Sequence, residues 1–476
     1  MLGRLVAVVW IGAGLTAAAQ DTRTVTEPVI PPACERLEAK LASVNDKVRE
    51  DDEGKLDTER IQRAIDGCGA GKAVELVKGG GNDAFLAGPL EMREGVTLVV
   101  DKGVTLFGSR DPKVYEMKGE GVTPGLCGTT AEARPPDASA ANTPAPRGGC
   151  RPLISIVNAK NVGIMGEGVI DGRGYATLMG KDYSWWQMAR RAQPEDRRYF
   201  STRLIIASHA DGLVLYKITL HNSPNFHVSV NQTNGFTAWG VHLKTPTDRS
   251  LDARNTDGID PGSSTNVTVT HSWIDNGDDN IAIKTGVTHM SVIDNHFYSG
   301  HGMSIGSETY SGVSDLLVDG LVEDHTTSGI RVKSNVTRGG LVHDLVYKNV
   351  CMKDVKVPIS ISPYYANQTT EPYKDPQFKG SRIPDYKRIT IANMTSVTPG
   401  DVLIAGLDDA HRTEITLDNV HLNGMTKDKV HGHFATVTLG PGGTDLDFSG
   451  TDIKVVPNGG KTAAPYDCTG KFVPYQ

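Results

Sequence analysis

The feature that most restricts this chain is a rhythm. From about residue 90 onward, short runs of Val, Ile, Leu or Thr alternate with turns rich in Asn, Asp or Gly, as in "NVGIMGEGVIDGRG", "GLVLYKITLHNSPNFHVSV", "NVTVTHSWIDNGDDNIAIK" and "DLLVDGLVEDHTTSGIRVKS". Equivalent strand starts recur at intervals of roughly 23 to 29 residues, the range of a solenoid in which each repeat adds one coil. A propeller blade needs a period nearer roughly 40 to 50, and a leucine-rich repeat needs a fixed Leu/Asn consensus that is absent. The pattern predicts an all-β chain wound as a right-handed parallel β-helix. Adjacent coils then lie about 4.8 Å apart, so residues one period apart in the chain are neighbours in space.

An open solenoid end exposes both core and strand edges and needs a cap. In "LDTERIQRAIDGCGAG", Ile61, Ala64, Ile65 and Cys68 recur at helical spacing, with Asp57 or Thr58 to start the helix and Gly67 to Gly69 to stop it. This short amphipathic helix is expected to be that cap. Residues 124 to 150, rich in Pro, Ala, Gly and Ser and bounded by two cysteines, are expected as a surface loop.

The first residues, "MLGRLVAVVWIGAGLTAAAQ", carry Arg4, an apolar run from Leu5 and the small-residue pattern Ala17-x-Ala19. They predict a secretory signal over residues 1–19, followed by a leader over 20–45 and a β-helical catalytic domain over 46–476. No later stretch is apolar enough to cross a bilayer, so no membrane partner is expected of the mature chain. Export agrees with six cysteines, an even number. Cys34 with Cys68 and Cys127 with Cys150 are the expected local pairs, because each would staple one loop. Cys351, in the strand-like "LVYKNVCMKDV", reads as a buried thiol. The net charge of −7 provides no basic field for nucleic acid, and an anionic partner would need a local cationic pocket.

Such a pocket is traceable by position. Asp257 in "NTDGID" and the pair Asp278 and Asp279 in "GDDNIAIK" are about 21 residues apart, close to one coil. His301 in "GHGMSIGS" lies about one coil further, and Arg331 and Lys333 of "RVK" about one beyond that. Alternation along a strand points both cations to one face. Each segment alone reads as a polar turn, a loop histidine or a solvated strand face. Together they set three acids, an imidazole and two cations on one stripe. Glycoside hydrolysis needs one carboxyl protonated to meet the leaving oxygen and another ionised, and crowding carboxyls raises at least one pKa. A cation pair beside them suits a uronic acid, whose carboxylate it can hold by charge-assisted hydrogen bonds. Clustered carboxylates could instead hold Ca²⁺, although the nearby cations oppose that.

"NTDGID", "GDDNIAIK", "GHGMSIGS" and "RVKS" resemble the four signature segments of the polygalacturonases, family 28 of the glycoside hydrolases. The last usually reads Arg-Ile-Lys, and Val332 departs from it. The resemblance runs from roughly Asp46 to the C-terminus and includes "VIDGRG", "SWW", "NSPNFHV" and "GSET"; the chain looks most like secreted bacterial endo-acting members. It implies hydrolysis, with inversion, of α-1,4 bonds between galacturonates in polygalacturonate; no cofactor or metal is expected, and a monomer is the expected state. By motif position Asp278 would be the general acid, and Asp257 and Asp279 would hold and activate water. His301 would tune the acid, while Arg331 and Lys333 would bind the galacturonate carboxylate. Tyr365 matches a tyrosine lining the same subsite, with Tyr364 beside it as a competitor. Asn255 and Asn280 would support the acids. Exo action, calcium-dependent β-elimination by a pectate lyase and non-catalytic polysaccharide binding stay open as alternatives. The loop at 124 to 150 is the element that could close one end of the groove.

Overall fold

The computed structural model describes residues 20–133, 148–192, 197–246, 253–365, 380–458 and 462–476. The segment read as a signal, residues 1–19, lies outside them. Successive coils stack in parallel register to form a right-handed β-helix. One face is an 11-stranded parallel sheet running from Leu90–Glu91 to Val430–His433. Along it Ile205, Val228, Ile259, Ile281, Met303, Ile330 and Ile359 follow one another from strand to strand, all fully buried. This apolar ladder is the inward half of a period-two alternation. Residues between its members, such as Arg331 between Ile330 and Val332, face outward. Two further ladders form the other faces and merge in the 13-residue strand Leu341–Lys353, which pairs with both Val313–Asp319 and Val322–Asp324.

The turns explain the abundance of Asn. Asn349, Asn393 and Asn419 take left-handed φ values of 56°, 51° and 59°, which a short amide side chain tolerates better than a branched one. Their amides form a chain through three coils, from Asn419 to Asn393 at 3.0 Å, to Asn349 at 3.2 Å and on to Asp319 at 2.7 Å.

The helix Thr58–Gly67 closes the N-terminal end and buries Ile61, Ala64 and Ile65 against Leu37, Val74, Leu76 and Leu90. Asp57 stands at its start, but its carboxylate accepts from the Arg60 side chain and from the Leu86 amide, not from a backbone N–H of the helix. Gln62 pairs its side-chain amide with the N–H and C=O of Glu91, satisfying the free edge of the first strand in the 11-stranded sheet. Upstream, Ala33–Glu38 already pairs with Lys72–Val77, and Asp21 is buried against Thr268 and Ser291. No helix among the described residues is long and apolar enough to cross a membrane.

Disulfides join Cys34 to Cys68 and Cys127 to Cys150, as the local spacing predicts. Cys351 is not a thiol: it is bonded to Cys468, 117 positions away. No spacing rule reaches that pair, because the C-terminal tail returns along the outside of the helix. There Tyr475 packs edge-on to Trp273 and Tyr298, and the Val473 carbonyl accepts from the Tyr298 hydroxyl at 2.7 Å.

Candidate active site

Register builds the site. Ile259 pairs with Ile281, and Ile281 with Met303, in successive coils. Asp257, Asp279 and His301 each stand two residues before one of these, so all three occupy one row on the rim of the 11-stranded sheet. Asp278 adjoins that row. Its Oδ1 lies 3.1 Å from His301 Nδ1 and accepts from the Asp279 amide at 2.9 Å. Next along the groove, Ser328–Lys333 turns Arg331 and Lys333 outward onto Asp279, with Arg331 Nη1 at 3.1 Å from Oδ1 and Lys333 Nζ at 2.7 Å from Oδ2. Ser304, opposite Arg331 in register, donates to the same Oδ1 at 2.7 Å.

The other expected residues gather here too. The Tyr365 ring centre is 5.2 Å from Lys333 Nζ and 5.8 Å from the Arg331 guanidinium. Tyr364 turns away to donate to the Gly406 and Leu407 carbonyls, so of the two tyrosines Tyr365 faces the cations. Asn255 lies 3.5 Å from Asp278 Oδ2 and accepts from the Tyr199 hydroxyl at 2.7 Å. Asn280 is fully buried, and its Oδ1 accepts from the Gly302 amide at 2.8 Å; it shapes the turns that carry Asp278 and His301.

Burial and neighbours split the acids. Burial, and then the Asp278 charge, push Asp257 well above the usual carboxylate range. For Asp278 burial acts upward, but the charge and hydrogen bond of His301 outweigh it and hold the group low. Asp279 is likewise buried, yet Lys333 and Arg331 bring it far below the ordinary value. Three carboxyls in a shared field thus keep one proton most readily on Asp257. Asp278, Asp279 and His301 are close enough to share a metal ion, but both Asp279 oxygens are already met by protein cations and Ser304. That donor set fits a hard divalent ion poorly.

Sequence reasoning missed Asp260, Lys284, Ser304 and Tyr199. Asp260 and Lys284 sit inside the quoted motifs and were legible there. Asp260 is buried, its pKa is pushed up to about 7 by burial, and Lys284 Nζ stands 3.7 Å away. Tyr199 was not legible, since it reaches Asn255 from the strand Arg197–Tyr199, which pairs antiparallel with Thr130–Ala133. The loop closed by Cys127–Cys150 therefore borders the groove; residues 134–147 of it lie outside those described.

A parallel β-helix with juxtaposed carboxyls, an imidazole and a cation pair along one groove defines a β-helical glycoside hydrolase. The family model described as glycosyl hydrolases family 28 matches residues 128–438. The chain is 39% identical over 412 residues to an endo-polygalacturonase of Pectobacterium carotovorum subsp. carotovorum, covering 86% of this chain and 91% of that protein. It is 34% identical to a polygalacturonase of Ralstonia nicotianae, covering 97% and 94%. Among solved structures, the polygalacturonase from Erwinia carotovora ssp. carotovora superposes with a TM-score of 0.73 at 36% identity, over 90% of this chain and 100% of that one. This chain belongs to family 28 of the glycoside hydrolases.

Proposed function

We propose that the protein is a secreted, endo-acting hydrolase that cleaves α-1,4 bonds between galacturonates in polygalacturonate, with inversion. The observation that carries this is the convergence of Arg331 and Lys333 on Asp279, beside Asp257 and Asp278. A neutral sugar has no use for two cations at the reacting centre, whereas a uronate supplies the carboxylate they can exchange for Asp279. Relatives named endo-polygalacturonase and polygalacturonase support the same substrate.

In this mechanism Asp278 gives its proton to the leaving glycosidic oxygen, while Asp257 and Asp279 orient a water and take its proton as it attacks the anomeric carbon. His301, bonded to Asp278, sets when that acid is protonated. Arg331 and Lys333, beneath Tyr365, hold the substrate carboxylate. The low pKa of Asp278 in the free site is compatible with an acid. An arriving uronate neutralises the two cations and adds a negative charge, and both changes raise the neighbouring carboxyls. The proton resident on Asp257 can then be redistributed to Asp278 within the complex. Secretion is supported by the pairing of all six cysteines, since such bonds persist in oxidising compartments.

The test is a time course of product sizes from de-esterified polygalacturonate in EDTA, with absorbance followed for unsaturated ends. An early ladder of saturated oligomers is expected. Galacturonate or a single short product from the outset overturns endo action. Unsaturated ends, or activity restored only by calcium, overturn hydrolysis.

A further inference from the structure

The row that carries Asp257, Asp279 and His301 extends beyond them. Ile205 pairs with Val228, and Val228 with Ile259. The positions two residues before each are Arg203, Phe226 and Asp257, so Arg203 and Phe226 continue the row of acids by two coils on the side away from Arg331. Arg203 is half-buried and packs its guanidinium 4.5 Å from the Phe226 ring centre, with its Nε donating to Asn225 at 3.3 Å. Asn225 in turn donates to the Tyr199 hydroxyl at 3.1 Å, and Tyr199 to Asn255 at 2.7 Å. A cavity of about 280 Å³ is lined by Tyr199, Ser201, Arg203, Asn225, Phe226 and Asn255, and Asn255 also touches Asp278. Most cations near the groove are paired: Arg331 and Lys333 with Asp279, Lys284 with Asp260, and Arg338 with Glu308. Among the described residues no carboxylate stands within ion-pair distance of Arg203, and its charge reaches buried Asp260 only from further away. A cation stacked on an aromatic face, aimed by an amide and without a close ion pair, is built to meet an anion from outside.

We propose that Arg203 binds the carboxylate of a second galacturonate unit, on the side of the scissile bond opposite Arg331 and Lys333, and so determines which chains are cut. Three coil steps separate its row position from that of Asp279, on the order of 14 Å. The sugar it meets is therefore beyond the one next to the cleaved bond. An acid required there makes a methyl ester at that unit a poor fit, because the ester removes the charge and leaves the guanidinium unmatched. This inference rests on the proposed action on polygalacturonate.

The experiment measures kcat and KM of wild-type enzyme, Arg203→Ala and Arg203→Lys on polygalacturonate, on short oligogalacturonates and on partly methyl-esterified chains, with melting temperature as a control. For Arg203→Ala, KM on the polymer is expected to rise about tenfold with kcat within about twofold, the loss of one charge-assisted contact. The loss is confined to chains long enough to reach the pocket and shrinks with esterification, and Arg203→Lys restores part of it. An unchanged KM, or an equal loss of kcat on short and long chains, overturns the role of Arg203. Failure of wild-type enzyme to hydrolyse polygalacturonate overturns the underlying function instead.

Discussion

Lys333 Nζ stands 2.7 Å from Asp279 Oδ2, although the two residues are 54 positions apart in the chain. One coil of the solenoid, carrying the strand Met303–Gly306, lies between their strands, and the contact places a buried cation and a buried anion in the floor of the groove. Lys333 is the largest influence holding Asp279 ionised against burial. Removing it as Lys333→Met is expected to raise the Asp279 pKa as well as to weaken substrate binding. Because the proposed base works when ionised, the acidic limb of the pH–rate profile should move to higher pH. The kcat/KM should fall about 100-fold or more, as expected when one partner of a buried charge pair is cut away. A limb that stays in place would detach Lys333 from the titration of Asp279.

Asp278→Asn keeps the shape of the side chain and removes its proton. Turnover should drop by about 10²- to 10⁴-fold, the range of a lost general acid. The melting temperature and affinity for substrate should stay near wild type, because Asp278 contributes mainly contacts to His301 and the local turn. Near-normal kcat would end its assignment as the acid.

Glu323 is a separate liability inside the solenoid. It is fully buried, no side chain donates to its carboxyl oxygens among the described residues, and burial outweighs the Met303 amide to push its pKa up to about 8. Its folded value lies above its unfolded one, so folding binds a proton. The stabilising contribution is complete below about pH 4.5 and is lost as pH rises toward 8. Glu323→Gln cannot ionise, and thermal melts at pH 5 and pH 8 should lie closer together in the variant than in wild type. An unaltered pH slope would show that other groups set it.

The Cys351–Cys468 bond closes a loop of 117 positions and fixes the C-terminal tail to the outside of the helix. Replacing both cysteines by serine is expected to cost about 2–5 kcal/mol, the usual loss when a native bond over a long loop is removed. Denaturant melts read this directly. Activity at low temperature should persist, since the tail contacts Leu243 and Tyr298 on a face other than the 11-stranded sheet.

Much of the site is legible in the sequence, because a solenoid turns sequence spacing into spatial distance. Asp257, Asp279 and His301 fall at one offset from the inward residues Ile259, Ile281 and Met303, and a period near one coil suffices to align them. The alignment of residues ends where the period breaks. Arg203 and Phe226 share that offset but carry no acid motif to draw notice. Tyr199 reaches the groove from a ribbon outside the coils, and Cys468 meets Cys351 through a tail that follows no repeat.

The amino-acid sequence alone determined the winding of the chain and the order of charged groups along it. Both depend on local alternation and on a fixed rise between coils. Only the tertiary structure decided which side chains meet across the groove: that both cations rest on Asp279 and not on Asp257, that Tyr365 and not Tyr364 faces them, and that Asp257 carries the raised pKa. Those outcomes depend on burial and on distances of a few ångströms between coils. A repeat length specifies the row a residue occupies, but not the direction its side chain takes or the charge it finds there.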